Sequence, residues 1–100
     1  MLGYKETMMA QVWKYILQPK CEIEMPKGSE VLSVAAQGND ICLWAKVDPS
    51  EAQKEKCYFA GYGTGHDIPD EANLLFIGTT LLNGGSLVFH IFEDLKNQSN

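Results

Sequence analysis

Turn-forming clusters cut this chain into short runs. Residues 26–29 (Pro-Lys-Gly-Ser), 38–39 (Gly-Asn), 48–49 (Asp-Pro) and Asn83–Gly85 combine residue types that preset or tolerate turn geometry. The runs between them alternate in polarity rather than repeating at helical spacing. Cys21-Glu22-Ile23-Glu24-Met25 puts apolar side chains on odd positions and acids on even ones, the pattern of a strand with one wet face. Residues 41–47 set Ile41, Leu43, Ala45 and Val47 against Cys42, Trp44 and Lys46. Gly38-Asn39 joins this run to a strand over residues 31–37 as a hairpin.

Residues 12–17 also read as a strand, ended by Pro19. A helix from near Glu6 competes, since Met9, Val12, Trp13 and Ile16 share helical spacing, but aromatic and branched residues favour extended chain. Further strands fall at 57–63, 74–82 and 87–92, the last two joined through Asn83–Gly85. Residues 50–56 read as a solvated loop, and 66–73 as the longest irregular segment after the N-terminus. The run 87–92 is apolar on both faces, so it is expected at the centre of a sheet and covered on each side.

About seven short strands and no long helix predict an all-β fold, a small antiparallel sandwich or barrel. One hundred residues with 45% hydrophobic content hold a single core. That domain is expected over residues 12–94, after a loose leader at 1–11 and before a polar tail at 95–100.

Charge narrows the function classes. The chain carries 13 acidic and 8 basic residues, a net charge of −5, and every basic residue is lysine. Without arginine it lacks the guanidinium fork that reads base edges and clamps phosphates, which argues against sequence-specific nucleic-acid binding. Cys21, Cys42 and Cys57 are odd in number and widely spaced, so they read as small buried or half-buried thiols in a reducing compartment. No apolar run approaches the roughly 20 residues of a membrane span. The expected setting is a cytoplasm, with no membrane partner.

The stretch Phe59-Ala-Gly-Tyr-Gly-Thr-Gly-His-Asp-Ile-Pro69 is the strongest candidate for a site. Glycine at every second position strips one strand face, so a backbone, a ring or a ligand can approach closely. A phosphate-binding loop would need a helix behind it, and Pro69, Asp70 and Glu71 follow instead. Gly63, Thr64, Gly65 and His66 could hold a small ligand through backbone donors, with Tyr62 or Trp44 stacking on it. The plainer reading is a bulge or a close strand crossing. His66 lies in a polar loop beside Asp67. His90 shares a face with Val88 and Phe92 and reads as a satisfied, buried imidazole. No metal or cofactor is expected, since the ligand-type residues show no clustered spacing. No nucleophile elbow surrounds Ser29 or Ser86.

Several segments together resemble a family of small proteins of unknown function found in bacteriophages and prophage-bearing bacteria. These are Val31-Leu-Ser-Val, Cys42-Leu-Trp-Ala with Val47-Asp-Pro, Tyr62-Gly-Thr-Gly-His with Ile68-Pro, Ile77-Gly-Thr, and Gly84-Gly-Ser-Leu-Val-Phe-His-Ile-Phe-Glu93. The likeness covers residues 13–93. It implies a phage accessory or structural context and assigns no catalytic residue. Three functions follow as expectations. The first is a phage-encoded, non-catalytic binding protein acting on the host, occupying a protein or sequestering a small nucleotide signal of an antiviral defence. The second is a structural or assembly component of the particle. The third is a small enzyme using His66 with a nearby carboxylate. A homo-oligomer fits the first two, because a small sandwich has edge strands to cover.

Overall fold

In the computed structural model, the described residues are 9–95. The expected leader and tail fall largely outside them. Seven strands follow one another: β1 (Gln11–Leu17), β2 (Lys20–Pro26), β3 (Glu30–Gln37), β4 (Asp40–Val47), β5 (Lys54–Gly63), β6 (Leu74–Leu82) and β7 (Leu87–Asp94). They form two antiparallel sheets, a three-stranded one in the order β1-β4-β3 and a four-stranded one in the order β2-β5-β7-β6. The fold is therefore an open sandwich rather than a closed barrel.

The sheets exchange chain at a proline. Only Gln18 and Pro19 separate β1 from β2, and in that step the chain leaves one sheet for the other. Proline has no N–H to donate to a ladder, so it suits a corner where pairing is interrupted. The Pro19 carbonyl accepts the Gly61 N–H at 2.6 Å, which ties the corner to β5.

The core lies where the alternating faces meet. Leu17, Met25, Ile41, Leu43, Ala45, Val47, Cys57, Phe59, Leu82 and Ile91 form one buried cluster, with Trp13, Tyr15, Val34 and Phe89 packed against it. Leu43 and Met25 have no exposed surface, and burying a side chain of that size contributes about 1.5–3 kcal/mol. All three cysteines are free; Cys42 and Cys57 are buried and Cys21 half-buried. Two bulges adjust the alternation, at Leu32 in β3 and Ile77 in β6. Beyond the second bulge Gly78 faces inward, and Val34 from β3 reaches it across the two sheets. A Cβ there would lie 3.0 Å from Val34 Cγ2.

Two expectations need correction. Strand β5 begins at Lys54, inside the run read as a loop, because cross-strand charge supports it: Lys56 faces the acidic side of β2 and pairs with Glu22 at 3.5 Å. Strand β7 is central, between β5 and β6, but only its inner face is covered by the other sheet. On its outer face Val88, His90 and Phe92 are shielded by neighbours within their own sheet and are half-buried. His90 is thus satisfied but not deeply buried.

Candidate functional site

The glycine stretch ends β5 and turns the chain back on itself. Residues 63–66 form a tight turn in which the Gly63 carbonyl accepts the His66 N–H at 3.0 Å. Gly65 sits in the third position with φ of +87°, a conformation that strains side-chain-bearing residues and that this turn type requires. The turn lays the His66 imidazole against Gly63, so closely that an ideal Cβ there would come within 2.8 Å of His66 Cε1. Gly61 serves a different contact. Its bare face is filled by Ile91 and Phe89 from β7. Of the approaches expected at these glycines, that of a ring is seen at Gly63, whereas Gly61 is packed mainly by side chains of β7.

A second turn arrives beside the first. Asn83–Gly85 forms a tight turn between β6 and β7 in which Asn83, Gly84 and Gly85 all take positive φ. Ser86 closes it, its N–H and hydroxyl both donating to the Asn83 carbonyl. Because Gly63 pairs with Phe89, the two turns meet at one end of the four-stranded sheet. Between them lies an open hollow of about 260 Å³ lined by Gly63, Thr64, His66, Ser86, Leu87, Val88 and Phe89. Its floor is apolar and its rim carries two hydroxyls and one imidazole.

Thr64 links the hollow to the outer face of the sheet. Its Oγ1 lies 2.8 Å from His90 Nε2, and Thr79 Oγ1 lies 3.0 Å from His90 Nδ1. In a neutral imidazole one nitrogen donates and the other accepts, and hydroxyls can do either, so both ring nitrogens are satisfied. A threonine hydroxyl beside an imidazole resembles a nucleophile with its base. Here the second nitrogen meets another hydroxyl where a base of that kind would need an orienting carboxylate. His66 makes no ion pair among the described residues.

The six residues expected to form a site divide among three places. Gly63, Thr64 and His66 line the hollow, and Gly65 shapes the turn that carries them. Tyr62 points to the outer face, where its ring meets Phe92 edge-on at 6.0 Å and Lys20 Nζ lies 5.8 Å from its centroid. It borders a separate recess of about 340 Å³ with Lys20, Cys21, Tyr58 and Asp94. Burial pushes the Cys21 thiol up from its ordinary value, and a hydrogen bond with the Gln18 backbone partly offsets this. Trp44 lies on the outer face of the other sheet, between Lys14 and Ser33, and joins neither hollow. The sequence reading missed Ser86, Leu87, Val88 and Phe89 as lining residues, because only the β5–β7 register brings them to the turn.

Among the described residues, no group of three or more His, Cys, Asp or Glu is placed to hold a metal ion. No helix among them is long and apolar enough to cross a membrane. No curated protein and no solved structure matches the chain. A family match covers residues 8–100, and the chain thus belongs to the family described as Domain of unknown function (DUF7352).

Proposed function

We propose that this is a phage-encoded, non-catalytic binding protein that acts on a host component, with the hollow between the two glycine turns as its anchoring site. The supporting observation is convergence. The turn at 63–66, shaped by Gly65, and the turn at Asn83–Gly85, where three residues take positive φ, reach the same end of one sheet and enclose a recess. Loops held by a rigid sheet are where binding residues concentrate. The phage context comes from the motif resemblance described above.

A protein partner is favoured over a free nucleotide. At about 260 Å³ the hollow is smaller than the roughly 300–1,000 Å³ usual for small-molecule sites. It suits one side chain of a partner better than a whole nucleotide. The aromatic rings that would stack on a base, Tyr62 and Trp44, do not line it. The net charge of −5, with lysine as the only cationic side chain apart from histidine, favours a partner with a basic surface.

The test is native mass spectrometry of the protein purified without denaturation from cells of its bacterial host. The expected result is one host protein retained at fixed stoichiometry, and lost in Leu87→Glu, which places a charge in the hollow while leaving the core untouched. Retention of a small molecule would favour the sequestering alternative. A bare chain from every preparation would contradict the proposal.

A further inference from the structure

The outer face of the four-stranded sheet has the composition of an interface. Its cross-strand rows run Ala60–Phe92–Phe76 and Tyr62–His90–Thr79, followed by Val88–Leu81. Tyr62, Phe92 and Phe76 form an edge-to-face cluster, with the second pair of centroids 5.4 Å apart. Phe76 and Leu81 are 55% and 59% exposed. An apolar, aromatic patch of this kind on a soluble surface marks a site of association.

Three observations identify the occupant, and we infer that it is a second copy of this chain, packed face to face through this sheet. The first is charge. By strand alternation the face carries Lys20, Lys54 and Lys56 against Glu22, Glu24 and Asp94, all towards the β2 side or the strand ends, so it is neutral as a whole. The net charge of −5 therefore lies elsewhere. Two copies can approach through this face without mutual repulsion, whereas a basic partner would be drawn to the acidic remainder.

The second is polar satisfaction. The imidazole and threonine hydroxyls at the centre of the face, those of His90, Thr64 and Thr79, hydrogen-bond one another. Covering the face therefore removes water without orphaning a histidine nitrogen, and orphaning is the costly event in burying polar groups. The third is size. Four strands about 4.8 Å apart and about eight residues long at roughly 3.4 Å per residue span roughly 500 Å² in projection. Side-chain relief raises this towards the roughly 800 Å² that each partner contributes to a standard interface. Face-to-face stacking at about 10 Å then gives the second cover that strand β7, apolar on both faces, lacks in the monomer.

Sedimentation equilibrium of the full chain over a concentration series tests this, with circular dichroism to confirm folding of each variant. The wild type is expected to dimerise. Phe76→Lys should weaken the dimer by about tenfold or more, since it buries an unpaired charge. Leu81→Lys serves the same purpose if Phe76→Lys does not fold. Leu32→Lys, at an exposed position on the other sheet, should leave the dimer unchanged. A monomeric wild type, a dimer that survives substitution at both Phe76 and Leu81, or one broken equally by Leu32→Lys would overturn the inference. Thr64 and Val88 border both surfaces, but the substituted residues are not shared: Leu87→Glu tests the hollow and Phe76→Lys tests this face.

Discussion

The His66 imidazole fills the space into which a side chain on Gly63 would grow. The ring approaches an ideal Cβ at Gly63 to 2.8 Å, while the backbone bond between the same two residues holds the turn. Position 63 therefore controls where His66 stands. In Gly63→Ala the ring, at the free end of a side chain, should swing away at a cost of no more than about 1 kcal/mol. Proton NMR should show loss of the contact between the His66 ring and the residue 63 α-proton, and the partner binding proposed for the hollow should weaken. A retained ring contact would contradict the geometry.

Gly78 and Val34 make a tighter case, because both lie in strands where the two sheets meet. A Cβ at Gly78 would sit 3.0 Å from Val34 Cγ2. Gly78→Ala is expected to destabilise the fold by about 1–3 kcal/mol through overpacking. Val34→Ala in the same chain should recover part of that loss, giving a coupling of about 0.5 kcal/mol or more between the two positions. Urea denaturation of the two single variants and the double variant measures this, and strict additivity would contradict it.

Much of this architecture was legible in the sequence because its signals are local. The hairpin through Gly38-Asn39 pairs Gln37 with Asp40 as the turn residues imply, and Gly38 takes φ of +59°. The clean alternation at residues 41–47 gives the buried face directly. Strand β1 is extended, as its aromatic and branched residues imply, although its spacing also fits a helix. The first half of β5 was not legible, because its support comes from charges on β2, about 30 positions away in the chain. The candidate site was half legible. The alternating glycines at 61, 63 and 65 mark a stretch open to close approach, but which residues face it depends on the β5–β7 register. That Trp44 lies on the other sheet, away from the turn, was not legible either, since nothing local says which sheet a strand joins.

The Tyr15 hydroxyl is buried and has no hydrogen-bond partner among the described residues. Burial, with the nearby Cys57 thiol adding to it, pushes its ionisation above the usual phenol value. Removing an unpartnered polar atom relieves a desolvation cost. Tyr15→Phe should therefore leave stability unchanged or raise it by up to about 1 kcal/mol in urea denaturation. A loss of more than about 1 kcal/mol would show that the hydroxyl is bonded.

Glu93 gives the fold a pH signature. Burial raises its carboxyl above the ordinary value of 4.5, and the like charge of Glu55 adds to the shift. A carboxyl with a raised folded-state value holds its proton more tightly folded than unfolded. Its contribution therefore favours the folded state below the ordinary value, declines as pH rises through the raised value, and is unfavourable above it. Glu93→Gln removes that titration. Relative to the wild type, the variant should gain thermal stability as pH rises from 4.5 through the raised value to neutrality. A difference between the two proteins that does not vary with pH would contradict the assignment.

The binding role proposed for the hollow between the glycine turns is tested most directly by native mass spectrometry of wild type and Leu87→Glu purified side by side from cells of the bacterial host that the proposal implies. The expected result is a host protein bound at fixed stoichiometry to the wild type and absent from the variant, with both chains folded. A partner carried equally by both would place the binding surface elsewhere, and a wild type that emerges bare would contradict the proposal.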